Sequence, residues 1–128
     1  MISNNLTNDQ RNLLAEHESQ GVIDVRRLPV GTLVAIDTAT ENFELLVCNP
    51  DRGVVLVASN RLFPKREKAV VVGSLHPETR LQLPRIIGKD LRIILKINRN
   101  GKMATPPVLA ARVTGRNASF EYDMWSDE

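Results

Sequence analysis

The fold of this chain is decided first by residues 91–97, which read Leu-Arg-Ile-Ile-Leu-Lys-Ile. Alternation of this kind predicts a half-buried β-strand, because successive side chains of a strand point to opposite faces. The inward positions are Leu91, Ile93, Leu95 and Ile97, and the outward positions are Arg92, Ile94 and Lys96. Asn100-Gly101 follows, a dipeptide typical of tight hairpins because both central residues of that turn need positive φ. We therefore predict an antiparallel hairpin whose tip is cationic through Arg99 and Lys102.

Further short apolar runs, separated by turn residues, extend this pattern along the chain. Branched and aromatic residues fill positions 32–38, 43–48, 54–58 and 68–72, and Gly73-Ser74 is expected to end the last run. Pro106-Pro107 removes two backbone donors, so the return strand of the hairpin should pair only over residues 108–114, at a sheet edge. The whole pattern predicts a mainly β fold, a small antiparallel β-barrel or sandwich of about six short strands with one N-terminal α-helix.

The helix is predicted from signals near the N-terminus. Thr7-Asn-Asp-Gln10 has the form of a capping box. Apolar spacing after it places one group of side chains near a single helix face: Leu6, Leu13, Leu14 and His17. Gly21 can supply the left-handed residue beyond an end near Gln20. We divide the chain into an N-terminal helical extension (1–22), a small β-barrel domain (23–116) and an acidic, aromatic C-terminal strand or tail (117–128).

The C-terminal residues combine aromatic and acidic side chains. Phe120, Tyr122 and Trp125 are interleaved with four carboxylates between Glu121 and Glu128. Residues 119–124 fit a last strand that closes the barrel. The same segment fits a cover that screens the basic part of the chain, or a short docking peptide for another protein. The sequence leaves these three interpretations open.

Length and composition indicate one globular domain. The 128 residues are 42% hydrophobic and 25% charged, which argues against wholesale disorder. Cys48 is the only cysteine, so no intramolecular disulfide is expected and a reducing compartment suits the chain. The first residues lack the pattern of a secretory signal, and no apolar stretch reaches the roughly 20 residues of a membrane span. We therefore expect a cytoplasmic protein with no membrane contact.

Four short motifs resemble an uncharacterised family of small bacterial all-β domains. They are Asp24-Val-Arg-Arg-Leu-Pro-Val-Gly31, Val72-Gly-Ser74, Ile87-Gly88 and Thr105-Pro-Pro-Val108. The resemblance covers about residues 24–113. It implies an all-β fold and brings no established activity or ligand.

Groups suited to catalysis are few. Gly73-Ser-Leu-His76 places a hydroxyl and an imidazole two residues apart, but no nucleophile-elbow context surrounds Ser74, so we interpret the pair as the end of a strand. Cys48 is interpreted as a small core residue, because its sequence neighbours include no cation to activate a thiolate. Two isolated histidines and one cysteine match no metal-ligand spacing. We predict that the chain is not an enzyme and needs neither a metal nor a cofactor.

Charge is strongly segregated along the chain. Residues 52–116 carry fourteen Lys and Arg against three acids, a net charge of +11, whereas residues 1–51 and 117–128 have net charges of −5 and −4. A local field of this kind attracts an anionic partner whatever the net charge of the chain. The predicted basic binding face consists of Arg61, Lys65, Arg66, Lys68, Arg92, Lys96, Arg99 and Lys102. The competing interpretation is a solvated surface whose charges serve solubility.

Two functions follow from this face. The first is a non-enzymatic interaction module that presents the basic face to an acidic protein surface or to a second copy of itself. The alternative is an RNA- or DNA-binding accessory protein that contacts phosphates through the same residues. Phe63 is the only aromatic residue between positions 52 and 116. Recognition of single strands by base stacking is therefore disfavoured, because such sites need several exposed rings.

Overall fold

The computed structural model describes residues 6–97 and 101–117. One helix, α1 (Asn8–Glu18), begins at the predicted capping box, where Thr7 accepts from the backbone N–H of Gln10 and Gln10 returns the bond. The helix ends two residues before the predicted Gln20, and Gly21 beyond it has φ +88°. Leu13 and His17 are its buried residues. The prediction of a short amphipathic helix is confirmed.

Ten strands follow the helix within the described residues. They are β1 (Val22–Asp24), β2 (Thr32–Thr38), β3 (Asn42–Asn49), β4 (Val54–Ser59), β5 (Glu67–Leu75), β6 (Gln82–Pro84), β7 (Ile86–Gly88), β8 (Arg92–Ile97), β9 (Lys102–Ala104) and β10 (Val108–Arg116). A turn of 3-10 helix, Val25–Arg27, follows β1. The six predicted strands correspond to β2, β3, β4, β5, β8 and β10. The predicted number of about six was too low, because four strands of only three residues were missed.

The strands form two antiparallel sheets. β1 pairs with β7, and the larger sheet has the order β10-β2-β3-β4-β5-β8-β9, with β6 attached to β5. Mainly antiparallel β structure with one helix is therefore as predicted. Within the described residues this order is open, with β10 and β9 at its two ends. Closure into a barrel or sandwich stays a prediction.

The return from the β8–β9 hairpin differs from its prediction. β9 pairs with β8 over three residues only, and the chain then crosses at Pro106-Pro107 to place β10 against β2. The two prolines therefore separate two strands that belong to opposite ends of the sheet. The prediction that pairing resumes at Val108 and that β10 lies at an edge agrees with the strand order.

Gly73 allows β5 to continue where we predicted its end. A Cβ atom at Gly73 would collide with the carbonyl oxygen of Leu83 in β6. A register shift lies between Val71 and Gly73, and Gly73 is paired with both Pro84 of β6 and Ile94 of β8. The glycine is thus a bulge that lets two strands approach β5, and the strand runs on to Leu75.

Two of the three buried apolar clusters among the described residues position the helix and the inner side of the large sheet. The inner core lies on one side of the large sheet and includes Val34, Leu45, Val57, Val71 and Leu95, each almost fully buried. The second cluster joins α1 to the short strands through Leu13, Leu83, Ile86 and Leu91. The N-terminal helix therefore contributes directly to a buried cluster.

Candidate binding face

The strand register places three of the predicted basic residues on the side of the sheet opposite the inner core. On this outer face, Lys68 of β5 is paired with Leu56, and Lys96 of β8 is paired with Val70. Lys102 of β9 is in turn paired with Lys96. Lys68 precedes Val70 by two residues, so it lies about 7 Å along β5 from the row that holds the other two lysines. We call these three residues the lysine cluster.

Lys96 and Lys102 form a like-charged cross-strand pair. Residues paired in this way have Cα atoms about 5 Å apart. Both residues are exposed, and within residues 6–97 and 101–117 neither lysine has a carboxylate partner. Like charges directly opposite each other on a sheet reduce stability. The β8–β9 end of the outer face therefore carries positive charge that its described surroundings do not compensate.

The β2–β3 part of the outer face has mixed charge. Arg66 Nη2 lies 2.6 Å from Glu44 Oε1, and both side chains are about two-fifths exposed. Arg112 Nη1 lies 3.4 Å from Asp37 Oδ2 in a second exposed pair. Glu44 points outward from β3, so its ion pair brings Arg66 to the outer face that also carries Lys68. The carboxylates reduce the positive potential on this side of the cluster.

Arg92 lies on the outward side of β8 but is held by the backbone. Its Nε donates to the carbonyl oxygen of Thr105 at 2.8 Å. The Thr105 hydroxyl accepts from the backbone N–H of Ile93 at 3.0 Å. Arg92 therefore stabilises the crossing that follows β9, while its charge remains half-exposed.

Arg61 and Lys65 lie in the loop between β4 and β5, which is positioned by Glu41. One carboxylate oxygen of Glu41 accepts from the Ser59 hydroxyl at 2.5 Å and from the backbone N–H groups of Arg61 and Leu62 at 2.9 and 2.8 Å. These bonds, that from Ser59 above all, hold the pKa of Glu41 below its ordinary value of 4.5. A buried carboxylate thus sets the course of the basic loop.

The eight predicted binding residues are therefore distributed unevenly. Lys68, Lys96 and Lys102 share the outer face with Arg66 and Arg92, Arg61 and Lys65 belong to the loop, and Arg99 lies outside the described residues. Sequence reasoning missed Glu41, because it sits in the polar link between two strands and gives no local signal. It also missed that Lys102 directly opposes Lys96, which depends on the length of the hairpin loop.

The remainder of the outer face is apolar and was not predicted. It consists of the buried residues Leu46, Cys48, Val54 and Leu56, with Leu33 and Val70 packed against them. We call this group the outer apolar cluster. A signal for it was present, because residues 45–48 and 54–57 are uninterrupted apolar runs, which are typical of strands buried on both faces.

The few groups suited to chemistry have structural roles. The Ser74 hydroxyl donates to the carbonyl oxygen of Ile86 at 2.5 Å. His76 Nδ1 accepts from the backbone N–H groups of Glu78 and Thr79 at 3.2 and 3.1 Å, which stabilises the turn after β5. Burial raises the pKa of the Cys48 thiol to about 11, as suits an inert core residue. Among the described residues, no three His, Cys, Asp or Glu side chains form a group suited to a metal ion.

A groove of about 370 Å³ lies between the small sheet and the edge strand β10. Leu109 and Val113 line it, and each is about half exposed. None of the residues that line this groove belongs to the lysine cluster, so the two are distinct surfaces.

Comparison with protein-family models, curated proteins and solved structures found no match to this chain. The resemblance to small bacterial all-β domains therefore stays an expectation from the four motifs. None of the described helical residues forms a segment with the length and apolarity that crossing a membrane requires.

Proposed function

We propose that this chain is a non-catalytic binding module that presents its lysine cluster to an acidic protein surface. The observation that carries the proposal is the cross-strand pair of Lys96 and Lys102. A like-charged pair without a described carboxylate partner reduces the stability of the free protein. An acidic partner converts the same pair from a destabilising to a favourable contribution.

The mixed charge beside the cluster favours a protein partner over a nucleic acid. Glu44 and Asp37 stand on the same outer face as the lysines, and a continuous phosphate backbone crossing that face would be repelled by them. A protein surface can place its own basic residues opposite these carboxylates. Phe63 is buried in the inner core, so it offers no platform for base stacking.

A non-catalytic role is part of the same proposal. The Ser74 hydroxyl and His76 Nδ1 donate to or accept from backbone groups, and the Cys48 thiol is buried. These side chains are bonded to the backbone or buried, whereas catalytic side chains must face a substrate. We accordingly propose cytoplasmic binding without a cofactor.

The test is a fluorescence-anisotropy titration of labelled poly-glutamate, single-stranded RNA and duplex DNA with the full chain at low and moderate salt. We expect poly-glutamate to bind with a salt-dependent affinity. Lys96→Glu/Lys102→Glu should weaken that binding at least about tenfold, equivalent to about 1.4 kcal/mol. The matched control is Arg80→Glu/Lys89→Glu, which makes the same charge change at two exposed positions outside the lysine cluster.

The control separates a local site from a general effect of net charge. Equal weakening by both double variants would show that only net charge matters and would overturn the proposal. Tighter binding of RNA or DNA than of poly-glutamate, lost on reversal of Lys96 and Lys102, would replace the protein partner by a nucleic acid. Failure of all three probes to bind at low salt would leave the face as a solvated surface.

A further inference from the structure

Three features of Arg85, which lies between β6 and β7, are unfavourable for the folded chain. Its φ is +62°, in the left-handed region that residues other than Gly, Asn and Asp rarely adopt. Its Nε is buried and has no hydrogen-bond partner among the described residues. Burial of the guanidinium, followed by the charge of Arg26, lowers the pKa of Arg85. Unfavourable features of this kind are concentrated at ligand sites, where the ligand compensates for them.

The Arg85 side chain lies across the bulge of β5. Its Nη1 donates to the carbonyl oxygens of Val71 and Val72 at 2.8 and 3.4 Å. A Cβ atom at Gly53, in the turn between β3 and β4, would lie 3.1 Å from Arg85 Nε, so the glycine leaves room for the guanidinium. Nη2, in contrast, has no hydrogen bond among the described residues and is not shut off from solvent as Nε is. One edge of a fixed guanidinium is therefore available to a ligand.

The turn of 3-10 helix after β1 brings a second arginine to this place. The backbone N–H of Val25 donates to the carbonyl oxygen of Arg85 at 3.0 Å. Arg26 follows directly in the chain, and its side chain is exposed. Its charge is close enough to act on the Arg85 guanidinium. Two arginines from different elements thus lie near each other at the surface.

Asp24, two residues before Arg26, is occupied elsewhere. Its Oδ1 accepts from the backbone N–H of Arg26 at 3.0 Å, and its Oδ2 lies 3.7 Å from Arg27 Nε. Within residues 6–97 and 101–117, neither the Arg26 nor the Arg85 side chain forms an ion pair. The two guanidinium groups therefore repel each other without an anion between them.

We propose that Arg26 and Arg85 form a binding site for a phosphate-type dianion. Arg85 Nη2 and the Arg26 guanidinium supply N–H donors from two elements, and the planar fork of a guanidinium matches the oxygens of a phosphate. Two cations suit a charge of −2 better than they suit a carboxylate, which neutralises only one of them. The bound anion removes the repulsion between the arginines. This site shares no residue with the lysine cluster, so it does not depend on the proposed function.

The test is a titration of the isotope-labelled full chain with inorganic phosphate, followed by NMR at pH 7.5 and constant ionic strength. We expect saturable shifts at the amides of residues 24–27 and 85–86 and at the Nε–H group of Arg85, whose burial protects it from exchange. Acetate at the same concentration should bind more weakly, because it carries a single charge. A parallel titration with glycerol phosphate identifies the source of the anion. Equal affinity indicates the free ion, and tighter binding indicates the phosphate group of a larger molecule.

Arg26→Gln is the deciding variant, because Arg26 is exposed whereas Arg85 also holds the bulge of β5. It should weaken phosphate binding at least about tenfold, through the loss of one charge-assisted contact. The matched control is Arg27→Gln, which removes the same charge from the neighbouring exposed residue. The control should change the affinity less than about twofold, since the pair of Arg27 with Asp24 is at the surface. The amide spectrum of each variant shows that it is folded.

Three results would overturn the assignment. One is the absence of saturable shifts at millimolar concentrations of phosphate. Another is equal weakening by Arg26→Gln and Arg27→Gln, which would show a general effect of charge. The third is acetate binding as tightly as phosphate, because the site would then not distinguish a dianion from a carboxylate.

Discussion

Replacing Lys102 by Glu should stabilise the protein while weakening its binding. The substitution converts the like-charged pair of Lys96 and Lys102 into an opposite-charge pair at the same cross-strand positions. A residue that lowers stability but is needed for binding is expected where a surface is shaped for a partner. For a residue that serves only solubility, a substitution that raises stability would not weaken binding.

The magnitude follows from the geometry of the pair. Directly opposed charges on a sheet contribute roughly 0.2–1 kcal/mol, and reversing one charge changes the sign of that contribution. Both lysines are exposed, which places the gain in the lower part of the combined range, about 0.5–1 kcal/mol. For a chain of this length that is a rise in Tm of about 2–4 °C.

The assay is thermal and urea unfolding of the wild type, both single reversals and the double reversal. Lys96→Glu and Lys102→Glu should each be more stable than the wild type, and the double variant should return close to it, because two glutamates again repel. In 1 M salt the differences should shrink, because exposed charges are screened. Single variants that are no more stable than the wild type at low salt would refute the conclusion that Lys96 and Lys102 repel each other.

Three further predictions concern parts of the fold that hold the site. Leu13→Ala should lower the free energy of unfolding by about 2–5 kcal/mol in urea titration, because Leu13 is buried between α1 and the short strands, whereas Asn12→Ala on the exposed side of α1 should have little effect. Glu41→Gln should make the free energy of unfolding less dependent on pH in the acidic range. The folded-state pKa of Glu41 is lowered, so its contribution is present above pH 4.5 and is lost as pH falls through that folded value; an unchanged profile between pH 6 and pH 2 would contradict this. Gly53→Ala should lower stability by about 1–3 kcal/mol, because its φ is +71° and a Cβ would lie 2.7 Å from the carbonyl oxygen of Val71; equal stability by urea titration would show that the turn relaxes.

The six longer strands were predictable because each carries a local signal. The alternation in residues 91–97 correctly identified which side chains of β8 face inward, with Ile93 and Leu95 in the inner core. The capping box at Thr7 likewise located the helix. These patterns depend only on neighbours in sequence, so they can be recognised without the tertiary structure.

The missed elements lack such a signal. β1, β6, β7 and β9 have three residues each, too few to show a period of two. In the sequence, a glycine at position 73 is compatible both with the end of a strand and with a bulge inside one. Only its close approach to β6 shows that it is a bulge. The crossing at Pro106-Pro107 was interpreted as delayed pairing within one hairpin, because local sequence does not specify which strand a segment will pair with.

The candidate site was predictable in composition but not in arrangement. The cations were identified by charge segregation, and the shared face of Arg92 and Lys96 followed from their spacing. The opposition of Lys96 and Lys102 depends on hairpin register, and the ion pair of Arg66 with Glu44 joins residues 22 positions apart. The continuous apolar runs of β3 and β4 are typical of strands buried on both faces, but we used them only to place the strands.

The most direct test of the central claim is to map the binding of poly-glutamate on the isotope-labelled full chain by NMR. We expect amide shifts to concentrate on β8 and β9 around Lys96 and Lys102, and to disappear in Lys96→Glu/Lys102→Glu. Shifts confined to the groove beside β10, or no shifts at low salt, would contradict the assignment of the lysine cluster as the binding site.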